Sequence, residues 1–395
     1  MLPIIKLKSG RENSAVFGHP WIFSGAVAER PQGLSHGDFI TIQDHQGKVV
    51  GVGSYSSKGS IMARIFDFSG AGINKEWFAA KIRRAESLRR LMGYGPGTNV
   101  TGYRVVFGEA DGIPGLIVDR YAETVVFTLS TAGLDKKRAE IVEALDEALA
   151  PSAIVERSDS TSRKDEGLEE AAGVIKGSVD APVEFVEHGV KFLSDALEGQ
   201  KTGFFLDQKD LRAAIRRTSS GRRVLNLFSY TGAASVYAML GGASSVHNVD
   251  GSQPALDMAL RNARLNGLAE ESFTNERSDV FQWLNTRREP EFDMVIVDPP
   301  SIIKSAKDTE SGKKAYHFLN RAAIRLVKDD GILATSSCSQ HLSGDDFAFI
   351  LRRAAAQAGA KLGTIGSFSQ SADHPISVHF PESFYLKSFM FEVRR

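Results

Sequence analysis

Residues 223–250, RVLNLFSYTGAASVYAMLGGASSVHNVD, decide the fold of this chain. A short apolar strand at 224–228 runs into a Ser/Tyr/Thr/Gly turn, a helix of small residues starts at Ala233, and a second strand ends on Asp250. Strand, glycine turn, helix, strand and acid form the unit with which open parallel α/β sheets hold a nucleoside at their carboxyl edge. The stretch therefore predicts an α/β sheet that carries a nucleoside site.

Helices and strands alternate regularly after this unit, which is typical of a doubly wound parallel sheet with helices on both faces. We therefore expect a Rossmann-like domain with a seven-stranded sheet. The predicted helices lie near 253–265, 313–328 and 345–357, with another after Asp279, and the predicted strands lie near 271–277, 294–298, 331–336, 362–368 and 388–393.

Composition limits the class of protein. The chain has 395 residues, which is room for two or three domains, and it is 42% hydrophobic and 24% charged, as in ordinary globular proteins. Lys plus Arg (48) equals Asp plus Glu (48), so a nucleic-acid partner would have to meet a local basic patch. One cysteine, Cys338, excludes an internal disulfide framework and a cysteine zinc cluster. No stretch approaches the ~18 apolar residues of a membrane span, so we expect a cytoplasmic protein.

The first 74 residues follow a β rhythm. Short strands are predicted at 39–43, 48–55 and 61–66, separated by Gly, Pro, Asp and Ser, which favours a small antiparallel barrel. The phrase GHPWIFSG at 18–25 resembles the PUA domain, a small RNA-binding barrel of RNA-modifying enzymes. Trp21 and Phe23 are interpreted either as core aromatics or as stacking platforms.

A middle segment at 75–184 reads as an α+β connector. It opens with an amphipathic helix at 75–92 whose cations form either a solvated face or a phosphate-binding patch. A single helix at 136–149 and a solvated polar loop at 159–170 are expected further on. The domains are thus predicted at 1–74, 75–184 and 185–395, the last being catalytic.

The nucleoside site lacks the signature of dinucleotide binding. Only Gly232 of the three required glycines is present after the first strand. Asp250 is placed to accept hydrogen bonds from ribose hydroxyls, and Asp279 to meet an adenine amino group. The tripeptide Asp298-Pro299-Pro300 follows an apolar strand at the same edge, where rigid backbone carbonyls would face a planar, amine-bearing base. Together these features argue for S-adenosylmethionine and a nucleobase methyl acceptor.

The only cysteine lies at the end of the next predicted parallel strand, in TSSCSQH at 335–341. Carbon 5 of a pyrimidine is a weak nucleophile, and addition of a thiolate to carbon 6 activates it. Cys338 is therefore the predicted nucleophile, and Asp298 the acid that stabilises charge at the N3 edge of the base. His341 is expected either to assist the thiol or to cap the next helix.

The order of PUA-like barrel, connector, KTGFFLDQ (201–208), NLFSYTG (226–232), DPP (298–300) and SSCS (336–339) resembles the bacterial class I large-subunit rRNA methyltransferases that make 5-methylcytosine with one cysteine. The resemblance implies S-adenosylmethionine as cofactor, S-adenosylhomocysteine as product and large-subunit rRNA as partner. The position two residues after DPP, often aromatic in relatives, is Ile302 here. The resemblance implies Cys338 and Asp298 as catalytic residues, Pro299 and Pro300 as substrate contacts, and the following cofactor contacts: Gln208, Phe228, Ser229, Tyr230, Thr231, Gly232, Asp250, Asp279 and Asp298.

Two other functions stay open at this point. Methylation of an exocyclic amine would need only the DPP segment and would leave Cys338 idle. A ribosome-assembly factor would bind RNA and keep the cofactor pocket without turnover. No metal and no membrane partner are expected, and a homodimer is left open.

Overall fold

The computed structural model describes residues 2–395 and divides the chain into two compact units. Unit 1 holds residues 2–189 together with Ser194–Leu206 and Ala372–Ser383. Unit 2 holds Val190–Leu193, Asp207–Ser371 and Phe384–Arg395. The chain therefore passes between the units several times.

Unit 1 begins with a six-stranded sheet in the order β2-β6-β5-β4-β1-β3. Neighbouring strands are antiparallel except β1 and β4, which run parallel, so the expected all-antiparallel arrangement is wrong at this one pair. Alternate strand residues, such as Ile40 and Ile42, are fully buried in the core of this sheet. The strands are β1 (Ile4–Leu7), β2 (Trp21–Phe23), β3 (Val27–Glu29), β4 (Phe39–Gln43), β5 (Val49–Tyr55) and β6 (Ile61–Asp67).

A second sheet of unit 1 has five strands in the order β11-β10-β9-β8-β7, as expected for an α+β connector. Five helices accompany the two sheets. The strands are β7 (Gly102–Phe107), β8 (Leu116–Tyr121), β9 (Thr124–Leu129), β10 (Ala153–Ser158) and β11 (Ala171–Lys176). The helices are α1 (Asn13–Val16), α2 (Lys75–Leu91), α3 (Ala132–Lys136), α4 (Arg138–Leu149) and α5 (Thr161–Asp165).

The basic helix α2 is solvated over most of its cations, with one exception. Arg83, Arg84 and Arg90 are exposed, as a solvated face predicts, and Arg90 pairs with Glu86 one turn away. Arg89 is fully buried and its guanidinium forms two hydrogen bonds with Asp111, at 2.8 and 2.7 Å, so it holds the helix to its own unit. The phosphate-binding patch stays a prediction.

Two connector predictions are corrected. The helix expected at 136–149 is interrupted at Lys137, so α3 and α4 are separate helices. Residues 159–170 are largely exposed, as expected of a solvated segment, but they include the short helix α5, and Arg163 is buried. Arg163 donates to the partly exposed Asp135 at 2.7 Å, and this ion pair ties α5 to α3.

Trp21 and Phe23 have different surroundings. The indole of Trp21 is half-buried, packs edge-on against Phe380 at 4.8 Å and donates to Glu109 at 2.8 Å. Phe23 keeps 46% of its surface exposed. The Trp21 indole therefore makes its contacts within unit 1, whereas the Phe23 side chain is exposed to solvent.

Unit 2 is built on a seven-stranded sheet in the order β16-β15-β14-β17-β18-β20-β19, and this confirms the predicted α/β fold class. The first five strands of that order are parallel. Earlier in the chain, β12 (Val183–Glu187), which belongs to unit 1, and β13 (Val190–Ser194) flank the expected turn at 188–189. The sheet strands are β14 (Arg223–Leu227), β15 (Ser245–Asp250), β16 (Phe273–Arg277), β17 (Phe292–Val297), β18 (Val327–Ser337), β19 (Lys361–Phe368) and β20 (Lys387–Arg394).

Both faces of this sheet are covered, as the continuous apolar strands require. In β17, Val295 and Val297 belong to one buried cluster, whereas Met294 and Ile296 belong to another. This alternation is the two-residue period of a strand buried on both sides. The helices of the unit are α6 (Lys209–Thr218), α7 (Ala233–Leu240), α8 (Gln253–Leu265), α9 (Val280–Asn285), α10 (Thr309–Leu326) and α11 (Gly344–Gln357). Over both units, short 3-10 helices lie at Ser24–Ala26, Gly108–Asp111, Leu206–Gln208, Glu270–Ser272, Ala306–Asp308 and Pro381–Ser383.

The expectation of a wholly parallel sheet is wrong at β20. This strand is inserted between β18 and β19 and runs antiparallel to both. No crossover helix is needed between β19 and β20, because antiparallel neighbours can be joined without one. Across residues 2–395, no helix is both long and apolar enough to cross a membrane.

Candidate active site

The turn after β14 has an unusual backbone. Phe228, Tyr230 and Gly232 have φ values of 59°, 45° and 72°, which is the left-handed region that non-glycine residues rarely adopt. Backbone hydrogen bonds from Phe228 and Ser229 to the carbonyl of Val249 hold the start of the turn, at 2.9 and 3.3 Å. Such strain persists only where the surroundings enforce it, and it is common at ligand sites.

Gly232 is required by space as well as by conformation. A Cβ atom at this position would lie 2.6 Å from the Cβ of Ala259 in α8. Gly232 is also the N-cap of α7, so the turn delivers the backbone directly into a helix N-terminus. A helix N-terminus beside a tight glycine turn is the usual place for polar ligand groups in such sheets.

Asp250 fixes this turn from the neighbouring strand. Its Oδ2 accepts the backbone N–H of Tyr230 at 2.9 Å, and its Oδ1 accepts that of Ser252 at 2.8 Å. The N-cap of α8 is Ser252, so Asp250 is not itself the helix cap. Each carboxylate oxygen has two lone pairs, so Asp250 retains capacity for the ribose hydroxyls that the sequence predicts there.

A row of buried amides lies beneath the turn. Asn226, Asn248 and Asn275 are register partners on β14, β15 and β16. The Asn226 amide donates to Ser235 at 2.8 Å, Ser235 donates to Asn248 at 2.5 Å, and Asn248 donates to Asn275 at 2.8 Å. Sequence reasoning missed this row, although three asparagines near the ends of consecutive apolar strands were a visible signal.

Asp298 follows β17, the other neighbour of β14. Its Oδ2 accepts a hydrogen bond from the Gln208 amide at 2.7 Å. Gln208 is 9% exposed and lies immediately before α6, so the structure brings two of the predicted site residues into contact. Pro299 is buried and Pro300 is exposed.

Cys338 follows β18, the next strand along the same edge. Its sulfur is half-buried and lies 4.0 Å from the carbonyl oxygen of Pro299. Register partners Leu227, Val297 and Thr335 place the ends of β14, β17 and β18 level with one another. The turn, Asp298 and Cys338 therefore meet at one edge of the sheet, at successive strand spacings of about 4.8 Å.

A cluster of hydroxyl groups joins the Cys338 turn to the Asp-Pro-Pro segment. The Tyr316 hydroxyl lies 3.0 Å from Ser337 Oγ and 3.0 Å from Ser339 Oγ. Ser339 Oγ also accepts the backbone N–H of Ile303 at 3.1 Å and lies 3.3 Å from Ser301 Oγ. Burial raises the pKa of Tyr316, so its hydroxyl stays protonated. Sequence reasoning missed Tyr316 because nothing in α10 marks it as facing the turn.

Lys387 was also missed. It is 5% exposed, and its ammonium donates to the backbone carbonyls of Ser339 and Tyr385, at 2.8 Å each. Burial lowers the pKa of Lys387 to about 8, and a Cys338 thiolate would act in the opposite direction. A lysine inside the apolar run at 384–393 was the available signal.

Two other candidate residues, Asp279 and His341, are exposed. Asp279 is exposed and its Oδ1 caps α9 by accepting the N–H of Gln282 at 2.9 Å. His341 is exposed, and the N-cap of α11 is Ser343, so His341 does not cap that helix.

The turn fits a polar cofactor. The Ser229 hydroxyl is buried and has no hydrogen-bond partner among the described residues. A buried hydroxyl of this kind normally has a partner, so the atom marks a place for a polar ligand group. Within residues 2–395, no group of three His, Cys, Asp or Glu side chains is placed to hold a metal ion.

Comparisons with known proteins agree with this architecture. A family model of S-adenosylmethionine-dependent methyltransferases matches residues 146–369, and a model of PUA-like domains matches residues 5–68. A curated relative from Escherichia coli (strain SMS-3-5 / SECEC), ribosomal RNA large subunit methyltransferase I, is 40% identical over 389 residues, 97% of each chain.

Two solved structures resemble the whole chain in fold. One is a chain from Streptococcus mutans provisionally assigned as a SAM-dependent methyltransferase, and the other is a provisionally assigned methyltransferase complexed with SAH. Each has a TM-score of 0.85 and 22% identity, and covers 99% of this chain and 100% of its own. The chain therefore belongs to the family of S-adenosylmethionine-dependent methyltransferases whose curated relatives are named ribosomal RNA large subunit methyltransferase I.

Proposed function

We propose that this protein methylates carbon 5 of a cytosine in large-subunit rRNA, with Cys338 as the nucleophile. The observation that carries the proposal is the position of the only cysteine. Its sulfur lies at the carboxyl edge of β18, 4.0 Å from the carbonyl oxygen of Pro299 in the segment that follows the adjacent strand. The substrate class comes from the name of the curated relative.

The chemistry explains why a thiol is needed beside the base. Addition of the Cys338 thiolate to carbon 6 forms a C–S bond, and the electron pair of the 5,6 double bond becomes available at carbon 5. Carbon 5 would then take the methyl group, whose bond to the sulfonium sulfur breaks to leave S-adenosylhomocysteine. A base removes the carbon 5 proton, the electron pair restores the double bond, and the C–S bond breaks to return the thiolate. The base then releases its proton to water, and the enzyme returns to its starting state.

The cofactor is held by the turn after β14 in this proposal. S-adenosylmethionine supplies a methyl group bonded to a positively charged sulfur, which makes that methyl electrophilic. Residues Phe228 to Gly232 would surround it, with the Ser229 hydroxyl as a polar contact and Asp250 on the ribose. Asp279 would meet the adenine, although its carboxylate also caps α9. Gln208 would contribute mainly by holding Asp298.

Asp298 and the two prolines would meet the flipped base. A carboxyl group at the N3 edge stabilises the charge that develops as the thiolate adds to carbon 6. The hydrogen bond from Gln208 fixes the orientation of the Asp298 carboxyl group. The Pro299 carbonyl, beside the sulfur, is suited to accept from the exocyclic amine of cytosine.

The rest of the chain would deliver the RNA. We propose that residues 1–74 act as a PUA-like RNA-binding domain, residues 75–184 as a middle domain and residues 185–395 as the methyltransferase domain. Bases of RNA are read most readily when they are unstacked, and enzymes that modify a base rotate it out of the stack. The proposed site of action is the cytoplasm, where ribosomes are assembled.

In vitro methylation of bulk rRNA followed by nucleoside mass spectrometry tests this function. We expect 5-methylcytidine from the wild-type protein and no product from Cys338→Ala. A different methylated nucleoside would overturn the proposal. Undiminished transfer by Cys338→Ala would favour exocyclic-amine methylation, which the Asp-Pro-Pro segment alone could support. RNA binding with no transfer to any rRNA would favour an assembly factor.

A further inference from the structure

Lys387 is a buried cation without a partner of opposite charge among residues 2–395. Its side chain is 5% exposed, and its ammonium is satisfied only by the carbonyl oxygens of Ser339 and Tyr385. Taking an ammonium group out of water is costly unless a counter-charge compensates it. An anion that forms near this lysine would therefore compensate the cost of burying its ammonium group.

Lys387 contacts the chain on both sides of Cys338. On the antiparallel pair β18 and β20, Lys387 is the register partner of Ser337, the residue before the cysteine. Its ammonium then reaches the carbonyl of Ser339, the residue after the cysteine. The lysine thus spans the turn that carries the sulfur and fixes it from the side of β20.

The other titratable groups around this turn do not supply a positive charge. Tyr316, from α10, is neutral because burial raises its pKa. Asp298, at the end of β17, precedes Pro299, whose carbonyl oxygen lies 4.0 Å from the sulfur, and an acid supplies no positive charge. His341, in the same turn, is exposed, and Asp346, in the first turn of α11, pairs with Lys313. Lys387 is a buried cation that contacts the turn directly.

Electrostatics couple the lysine to the thiol. Burial lowers the pKa of Lys387 to about 8, whereas a negative charge on Cys338 raises it. Coupling of this kind is reciprocal, because an ammonium that is stabilised by a thiolate stabilises that thiolate equally. A positive charge on Lys387 and a negative charge on Cys338 therefore favour each other.

We propose that Lys387 is a positioning residue for the Cys338 nucleophile: it holds the turn at Ser337–Ser339 by its carbonyl contact and provides the positive charge that favours the thiolate. This inference rests on the proposed role of Cys338. The ammonium does not contact the substrate. It acts before the chemical step, by keeping the sulfur ionised, and again at the end, when the C–S bond breaks and the thiolate returns.

The single cysteine permits a direct test, because any thiol titration of this protein reports only Cys338. The rate of alkylation by iodoacetamide is measured from pH 5.5 to 10 on the full chain, without RNA or cofactor. Lys387→Gln retains a hydrogen-bond donor and removes the charge, and Lys387→Arg retains the charge. Lys328→Met is the matched control, since Lys328 lies at the other end of β18 and is half-exposed in a surface pair with Asp293.

For the wild type we expect an apparent thiol pKa below the ~8.5 of a free cysteine. Lys387→Gln should raise it by about one unit and slow alkylation at pH 7 roughly tenfold. Lys387→Arg should keep it within a few tenths of the wild type, as should Lys328→Met. A purely structural role for Lys387 would change the accessibility of the sulfur at all pH values and leave the apparent pKa in place.

Two results would overturn the inference. One is an unchanged apparent pKa in folded Lys387→Gln. The other is a wild-type value of 8.5 or higher, which decides the question even where the variant does not fold. Neither result depends on methyl transfer, so the role of Lys387 and the nucleophilic role of Cys338 can fail separately. If Cys338→Ala still methylates RNA, Cys338 is not the nucleophile, but the measured effect of Lys387 on the thiol pKa is unaffected.

Discussion

At the scale of single residues, Asp250 and Lys387 contribute to the site in different ways. Asp250 uses both carboxylate oxygens to hold backbone N–H groups, and so shapes the turn that would receive the cofactor. Lys387 uses a buried charge to hold the turn on the other side of the site. The effect of Asp250 is therefore expected in cofactor affinity and that of Lys387 in pH dependence.

Replacing Asp250 by Asn should weaken binding of S-adenosylhomocysteine by roughly 10- to 100-fold. One amide oxygen replaces two carboxylate oxygens, so a backbone N–H in the turn loses its charged acceptor, at a cost of about 1.5–3 kcal/mol. Isothermal titration calorimetry measures the dissociation constant. Asp257→Asn, on the exposed side of α8, is the matched control and should bind as the wild type does. Equal affinity of all three proteins would contradict the assigned role of Asp250.

The buried ammonium of Lys387 predicts how stability depends on pH. Its pKa is lowered by burial from 10.5 to about 8 in the folded chain, so between these values the unfolded chain binds more protons. The free energy of unfolding should therefore rise with pH across this window, relative to a protein without the lysine. The gain is about 3 kcal/mol at most.

This dependence is measured by urea unfolding of Cys338→Ala and of Cys338→Ala/Lys387→Met between pH 7 and 10. Removing the thiol prevents its own ionisation from shifting the lysine. As the pH rises, the unfolding free energy of the protein that retains Lys387 should increase relative to that of the protein that lacks it. A difference that stays constant, or that shifts the other way, would show that the ammonium is not destabilised by burial.

The sequence allowed only part of this residue-level description. Cys338, Asp298 and Asp250 could be placed together because each follows a predicted parallel strand, and the ends of such strands meet at one edge. Lys387 could not be placed, because its proximity to Cys338 depends on the antiparallel register of β20 with β18. Asp279 was placed as an adenine contact, and the structure shows that its carboxylate also caps α9.

At the scale of elements, the turn between β14 and α7 is the strained part of the sheet edge. Three of its five residues have left-handed φ values, and two of these, Phe228 and Tyr230, have side chains. The row of amides below it, from Asn226 to Asn275, ties three strands together at the same level. A rigid base under a strained turn keeps the backbone groups of the turn in place before a ligand arrives.

Gly232→Ala should destabilise unit 2 by roughly 2–4 kcal/mol and weaken binding of S-adenosylhomocysteine. The added methyl group meets the Cβ of Ala259 at 2.6 Å and forces alanine to adopt φ of 72°. Thermal unfolding and calorimetry measure the two effects. Gly344→Ala is the control, because no atom lies within 4 Å of its Cβ position at the start of α11. A Gly232→Ala protein as stable as that control would contradict the close packing of α8 on the turn.

Element order was largely predictable, and the exceptions have physical causes. The alternation of helices and strands at 223–357 led to the correct sheet, because apolar strands and amphipathic helices have different periods. The antiparallel direction of β20 was missed because periodicity carries no information about strand direction. Helix α5 was missed because the ion pair that ties it to α3, between Arg163 and Asp135, joins residues that lie far apart in sequence.

At the scale of the whole molecule, the first 74 residues share a core with the segment that follows them. Val52 and Phe66 belong to the same buried cluster as Phe78 and Tyr103. The ring of Phe66 lies 6.1 Å from that of Trp77, whose indole also donates to Asp67 at 3.0 Å. In unit 1 the two segments are therefore joined by apolar packing, although composition alone suggested a boundary at 74–75.

A chain truncated to residues 75–395 should consequently lose solubility and resistance to proteolysis. Removing β5 and β6 exposes Phe78 and its neighbours, which are completely buried in the full chain. Limited trypsin digestion compares it with a full chain cut only in the exposed turn at 44–47, between β4 and β5, which should remain resistant. Equal resistance of the truncated and full chains would contradict a shared core.

The central claim is that Cys338 forms a covalent bond to carbon 6 of a cytosine, and an RNA with 5-fluorocytidine in place of cytidine tests it most directly. Fluorine at carbon 5 cannot be removed as a proton is, so the adduct cannot break down after methyl transfer. With S-adenosylmethionine present, the wild-type protein should form an RNA complex that survives denaturing electrophoresis and maps to the Cys338 peptide, and Cys338→Ala should form none. Absence of any complex while unsubstituted rRNA is methylated, or an equal yield with Cys338→Ala, would contradict the account.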